Sequence, residues 1–146
     1  MTNIVPVLLD TNTLSELQRK TPDARVSAWF DAQILNSSFI SSFTIAEIEM
    51  GIYQQRDPEK AKIFQIWLET DLLPKFEHRI LPFDTAAARI YGRWAGESRK
   101  KGNTLTVTDT QIAAIAYVHG LTVATRNTSD FALLPVRLVN PWLENP

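Results

Sequence analysis

"VLLDTNTL", residues 7–14, decides how the rest of the chain is read. Three apolar residues end on Asp10, and a polar cluster follows before the helical "LSELQRK" (14–20). Such a pattern fits a short buried strand handing over to a helix. An Asp at that junction has two physical uses. It can satisfy orphan backbone N–H groups at a helix start, or point a carboxylate into the crevice at the carboxyl end of a parallel strand. The choice depends on whether other acids occupy equivalent junctions.

Outward from this stretch, "IVPVLL" (4–9) is the strand itself, with Pro6 admissible near its start or at an edge. A helix is expected from about Thr13, because Thr13 and Glu16 have capping-box spacing. "TPDARVSAWFDAQIL" (21–35) reads as a second helix with Pro22 at its first position. "SSFISS" (37–42) is a strand, and "TIAEIEMGIYQQ" (44–55) a helix with Ile45, Ile48 and Ile52 along one face. After the Asp57-Pro58 breaker, "PEKAKIFQIWLETDLL" (58–73) is helical. "RILPF" (79–83) is a strand, and "DTAAARIYGRWAGESRKKG" (84–102) a long helix capped by Asp84. "TVTDTQIAAIAYVHG" (106–120) is a helix stopped by Gly120, and "LTVAT" (121–125) and "VRLV" (136–139) are short strands. Strands alternating with helices predict an α/β fold whose mostly parallel sheet is covered on both faces.

The bulk properties narrow the chemistry. A chain of 146 residues is the length of one ordinary domain, so residues 1–146 are expected to form a single one. With no Cys and two His, thiolate and all-histidine metal sites are excluded. Any metal must be held mainly by oxygen, which favours Mg2+ or Mn2+. The N-terminus lacks a basic region and Pro6 interrupts its apolar run, so no signal peptide or membrane span is expected and the cytoplasm is the default compartment. A net charge of -1 gives no general attraction to nucleic acid; a local patch must supply it.

Right-handed crossovers bring the carboxyl ends of parallel strands to one edge. Asp10 follows the first strand, Glu47 and Asp109 lie in the first turns of later helices, and "TRNTSD" (125–130) follows "LTVA". Each acid alone is explained by capping: Thr44 with Glu47 and Thr106 with Asp109 have capping-box spacing, and Asp84 reads as a plain cap. As a set they point elsewhere. Gly51 and Ala113, four residues beyond Glu47 and Asp109, leave room beside both carboxylates, and carboxylates converging in a cleft repel unless a cation sits between them. A divalent ion so held suits phosphodiester hydrolysis, since it generates and orients hydroxide and neutralises developing charge. In "ARIYGRWAGESRKKG" (88–102), Arg89, Arg93, Arg99, Lys100 and Lys101 face only Glu97, and Tyr91 and Trp94 are interleaved for base stacking. A solvated helix face is the plainer reading of the same run.

"LLDTNTLSEL", "SSFTIAEIEMG", "TVTDTQIAAIA" and "LTVATRNTSDF", in that order and spacing, resemble the PIN-domain ribonucleases, in particular the VapC-type toxins of bacterial toxin-antitoxin pairs. The similarity spans nearly the whole chain, and "RILPFD" with the closing "VNPW" is similar to the FitB-like branch. The resemblance implies a three-layer α/β/α fold and Mg2+- or Mn2+-dependent RNA cleavage. It also implies a homodimer and a cognate VapB-like or FitA-like antitoxin whose tail lies in the active-site groove, with operator DNA reached only through that antitoxin. Asp10, Glu47 and Asp109 match the family's three acidic positions. The fourth, commonly Asp, falls on Asn127, which brings no charge; a second metal then binds weakly or needs Asp130. Thr11, Asn12 and Thr125 match positions that orient ligands or water.

Two rivals remain at this level. An aspartate-nucleophile phosphatase also places an Asp after the first strand, but Asn12 stands where its second acid is expected. A non-catalytic co-repressor, acting with a DNA-binding antitoxin, has no physical reason to keep acids converged.

Overall fold

The computed structural model describes residues 5–144. Its centre is a sheet of five parallel strands: β1 (Val7–Leu9), β2 (Ser38–Ser41), β3 (Ile80–Leu81), β4 (Thr122–Ala124) and β5 (Leu138–Val139), in the order β3-β2-β1-β4-β5. Eight α-helices connect and cover them among the described residues: α1 (Thr11–Leu17), α2 (Ala24–Asp31), α3 (Ser42–Gln54), α4 (Pro58–Trp67), α5 (Leu73–Lys75), α6 (Thr85–Lys100), α7 (Val107–His119) and α8 (Thr128–Phe131). The result is the three-layer α/β/α arrangement expected from the alternation of elements.

β1 shows why both faces are covered. Its three residues are all buried: Leu8 packs with Ile112, Ile115 and Phe131 on one side, Val7 and Leu9 with Leu14, Ile40 and Leu68 on the other. Alternation along one strand therefore feeds two cores, and each fully buried aliphatic side chain stabilises the fold by about 1.5–3 kcal/mol. Ala113, Ala114 and Ala116 are buried along α7 with Ile112 and Ile115, and the alanines' short side chains let the helix lie close to the sheet. Gly120 ends α7 at φ 67, the left-handed C-cap that its position predicted.

β2 and β4 flank β1 on opposite sides, and the chain leaves β1 and β4 for helices on different faces. The crevice beyond the carboxyl ends of these strands is thus a topological switch point, the place where open parallel sheets bind ligands.

Several local expectations are revised. The expected strand included Ile4, which lies outside the described residues; within them β1 begins at Val7, with Pro6 just ahead. α1 starts at Thr11, two residues before Thr13, because Asp10 is its cap. Thr13 is buried and its hydroxyl donates to the Ala124 carbonyl (2.9 Å), while Glu16 pairs with Arg19. Pro22 precedes α2 and does not open it: the Asp23 carboxylate accepts from Arg25 N and sets the start at Ala24. The helix from Pro58 widens into a π-turn at Leu68–Leu72, which buries Leu68 and Leu72 before α5. Trp29 and Phe30 pack on the core, whereas Ile34, Ile63 and Ile66 are exposed. Among the described residues no helix is long and apolar enough to cross a membrane.

Candidate active site

Asp10 is a helix cap with a second carboxylate oxygen engaged by a residue at a neighbouring strand end. As N-cap of α1 it accepts from Thr11 N through Oδ1 (2.9 Å), and it is itself buried. Its other oxygen, Oδ2, accepts from Thr125 Oγ1 (2.8 Å) and Asn12 Nδ2 (3.2 Å). Thr125, fully buried after β4, also accepts from Asn12 Nδ2 (3.2 Å) and Asn127 N (3.0 Å). Asn12 Oδ1 in turn accepts from Arg126 N (3.2 Å). The polar residues after β1 and β4 thus form one network around a single carboxylate, and Thr11, Asn12 and Thr125, the residues expected to orient ligands, all belong to it or adjoin it.

The caps predicted for the other two acids are not made. α3 begins at Ser42 with Ser41 as its cap, Ser41 Oγ accepting from Thr44 N (3.3 Å). Thr44 is buried and shares a hydrogen bond with Thr11 Oγ1 (2.9 Å), tying α3 to α1. Thr106 caps α7 without a side-chain bond, and its carbonyl accepts from Thr110 Oγ1 (2.6 Å). Glu47 and Asp109 are therefore not spent on capping boxes. Asp84, by contrast, is the plain cap expected, accepting from Ala87 N (3.0 Å).

Electrostatics show that these acids share one neighbourhood. Burial lifts the Asp10 carboxyl above its usual range; the Thr125, Thr11 and Asn12 donors oppose that, and the charge of Asp130 adds to it. Glu47 is raised by loss of hydration and then by Asp10 and Asp109, with the Thr11 hydroxyl partly offsetting them. Asp109 is pushed up to about 6, first by burial, then by Asp10 and Asp130. The negative charges of Asp10, Asp109 and Asp130 thus act on neighbouring carboxyls of the same cluster: Asp130 on Asp10 and Asp109, Asp10 on Glu47 and Asp109, and Asp109 on Glu47. Asn127 brings its backbone to Thr125 and is otherwise exposed. Beside Glu47 a mostly apolar groove of about 190 Å³ runs between Thr11, Gly51, Ile52, Phe64 and Trp67, the room that Gly51 predicted. A larger cavity, about 300 Å³ between Trp94, Lys101, Leu105 and Leu134, holds none of the four acids.

Among the described residues no group of three or more acidic or histidine side chains stands close enough together to hold a metal ion as placed. The donor set nonetheless fits a hard cation, since Mg2+ ordinarily takes one or two carboxylates directly and keeps water on its remaining positions. Asp10 is held by three donors, Asp109 projects from the first turn of α7, and Glu47, expected in a first turn, lies one turn deeper because α3 starts at Ser42, with the Thr11 hydroxyl beside its carboxylate.

The basic run is separate from this cluster. Arg89, Arg93, Arg99, Lys100 and Lys101 are exposed along α6 and its end. Tyr91 and Trp94 turn inward instead of interleaving with them: Tyr91 meets Phe83 edge-on at 5.9 Å, and Trp94 meets Tyr117 at 5.3 Å. The stacking role expected of them is therefore corrected, because the amphipathic helix spends its aromatics on the core. Two features escape the sequence pattern. Thr44 reads in one dimension only as a cap, and Arg126 lies over the ring of Trp142 at 5.2 Å.

A five-stranded parallel sheet with carboxylates whose charges raise their neighbours' pKa beyond the ends of adjacent strands defines a class of α/β protein with an acidic cleft at its switch point. Within that class the chain belongs to the PIN domain family, which matches residues 7–135. It is similar to the VapC ribonuclease Y4jK of Sinorhizobium fredii (39% identical, covering 93% of this chain and 97% of that protein). It is likewise similar to the toxin FitB of Neisseria gonorrhoeae (40% identical, 93% and 98% covered). The structure of FitAB bound to an IR36 DNA fragment superposes with a TM-score of 0.87 at 38% identity, covering 96% of this chain and 98% of that one.

Proposed function

We propose that the chain, as a single PIN domain, is a Mg2+- or Mn2+-dependent ribonuclease and the toxin of a toxin-antitoxin pair. The observation that carries this reading is the acid cluster at the switch point, where burial and the charges of neighbouring carboxylates raise Asp10, Glu47 and Asp109 together. The names of the relatives, a VapC ribonuclease and the toxin FitB, supply the substrate class and the biological role. Asp10, Glu47 and Asp109 would hold the metal, and Asp130 would supply the charge that Asn127 lacks at the fourth position. A bound ion would lower the pKa of water and neutralise charge at the phosphodiester.

The protein's own groups do the remaining work. Thr125 and Asn12 fix Asp10 Oδ2 by donating to it, so this carboxylate needs no reorganisation when a ligand arrives. Asp109, ionised above pH of about 6, is the candidate to orient the attacking water. Arg89, Arg93, Arg99, Lys100 and Lys101 draw the RNA to the protein. The groove beside Glu47 receives the tail of a cognate antitoxin, the working unit is a homodimer, and its compartment is the cytoplasm.

Calorimetry with Mn2+ and Mg2+, on the wild type and on the Asp10→Asn, Asp109→Asn double variant, tests this directly. Binding and RNA cleavage by the wild type alone, with both proteins folded, supports the ribonuclease. A second reading, in which the chain serves as co-repressor alongside a DNA-binding partner, is favoured by the DNA complex of FitAB. Absence of metal binding and of cleavage in both proteins would move that reading to first place.

A further inference from the structure

Resting on the ribonuclease reading, we propose that Arg126 is an RNA-phosphate-binding residue at the rim of the acidic cleft, held ready there by Trp142. Arg126 lies between two residues of the site. Thr125 donates to Asp10, Asn127 N donates to Thr125, and Arg126 N itself donates to Asn12 Oδ1. Its backbone is therefore fixed by the same network that fixes the carboxylate. Its side chain is exposed, and its guanidinium carbon sits 5.2 Å from the centroid of the Trp142 ring.

The closing "VNPW" builds that platform. β5 delivers the chain to the carboxyl edge, Asn140 Oδ1 accepts from Trp142 N (3.0 Å), and Pro141 and Trp142 are buried. An aromatic ring engages the face of a guanidinium and leaves its in-plane N–H groups available. Among the described residues Arg126 forms no ion pair and no side-chain hydrogen bond, and it contributes nothing to the shifts of Asp10, Glu47 or Asp109. The ring thus holds the guanidinium away from the carboxylates, while the Arg126 backbone stays in the network that fixes Asp10. A planar fork of unused donors next to a metal-binding cleft matches the geometry of a phosphate one nucleotide away from the reacting one.

The test uses a fluorescent single-stranded RNA of mixed sequence and the full chain carrying Asp109→Asn, so that binding is read without cleavage. Adding Arg126→Ala should lower affinity about tenfold, the loss expected for one charge-assisted hydrogen bond, and flatten the log–log salt slope by about 0.7. Arg126→Lys should recover the slope but only part of the affinity, because an ammonium neither stacks nor forks. Trp142→Phe, which keeps an apolar ring in place, should weaken binding less than Arg126→Ala while leaving Mn2+ affinity unchanged. If the parent binds RNA and Arg126→Ala binds it equally well with the same salt slope, the assignment of Arg126 is overturned while the ribonuclease stands. If the parent binds no RNA and the wild type cleaves none with Mn2+, the ribonuclease reading falls and this one with it.

Discussion

Thr125 Oγ1 donates to Asp10 Oδ2 over 2.8 Å, joining the ends of two adjacent strands across 115 positions of sequence. The hydroxyl is fully buried and also serves Asn12 Nδ2 and Asn127 N, so three groups depend on it. Thr125→Val keeps the shape and removes all three hydrogen bonds. Leaving buried polar groups without partners should cost about 1–3 kcal/mol, read as a lower urea midpoint, and should weaken Mn2+ binding. Thr125→Ser should restore most of both. An unchanged midpoint in Thr125→Val would show that the network does not hold Asp10.

The raised pKa values fix the sign of a pH effect. Asp109 binds its proton more tightly in the folded chain, at about 6 against 3.8 in the unfolded one. Folding therefore takes up a proton between these values, and stability falls as pH rises from 3.8 through about 6. The metal-free protein should melt at a higher temperature at pH 5 than at pH 7.5, and Asp109→Asn should flatten that difference. Saturating Mn2+ should raise Tm at pH 7.5 more than at pH 5, since metal and proton compete for the same oxygens. A Tm that climbs with pH in metal-free protein would contradict the cluster's electrostatics.

Asn127 and Asp130 are the two candidates for the fourth acidic position of the proposed site. Asp130 bears the charge that acts on Asp10 and Asp109, whereas Asn127 touches the network only through its backbone. Asp130→Asn should weaken Mn2+ binding, and Asn127→Asp should strengthen it by adding a carboxylate to an already negative cleft. Manganese paramagnetic resonance counts the bound ions in each. If Asp130→Asn binds as the wild type does, Asp130 is no ligand and one metal suffices.

The exposed cations of α6 make a separable prediction. Arg89→Glu with Arg93→Glu should weaken RNA binding and reduce its salt dependence, by about 0.7 in slope for each phosphate no longer neutralised. Neither residue affects the acids, so Mn2+ affinity should not move. An unaltered slope would return this helix to the role of a solvated face.

Much of this was legible in the sequence because strands and helices alternate with clear stops. "VLLD", "LTVAT" and Gly120 mark β1, β4 and the end of α7, and Asp10 stands at a strand-to-helix junction, whereas Glu47 lies in the second turn of α3 and Asp109 opens a helix that follows α6 and not a strand. Capping was less legible, because Asp10, Thr13 and Thr44 all suit a helix start in one dimension. Only the packed structure shows Thr13 buried against Ala124 and Thr44 against Thr11. Tyr91 and Trp94 mislead for a related reason. Their spacing within a basic helix fits base stacking and core packing alike, and the neighbours that decide, Phe83 and Tyr117, come from other segments. The Arg126–Trp142 pair joins residues too far apart in sequence for local pattern to reveal.

Asp10 itself allows cap and ligand to be separated. In Asp10→Asn a side-chain acceptor remains for Thr11 N, and Asn is as good an N-cap as Asp; in Asp10→Ala the cap is lost. The Ala variant should therefore be less stable than the Asn variant by about 1 kcal/mol. Metal binding should fail in both, because neither keeps the anionic oxygen that Thr125 and Asn12 orient. Paired denaturation and calorimetry on the two variants reads the roles independently. Mn2+ binding retained by Asp10→Asn at wild-type strength would reduce Asp10 to a helix cap and leave Glu47 and Asp109 as the only carboxylates of the three able to hold the ion.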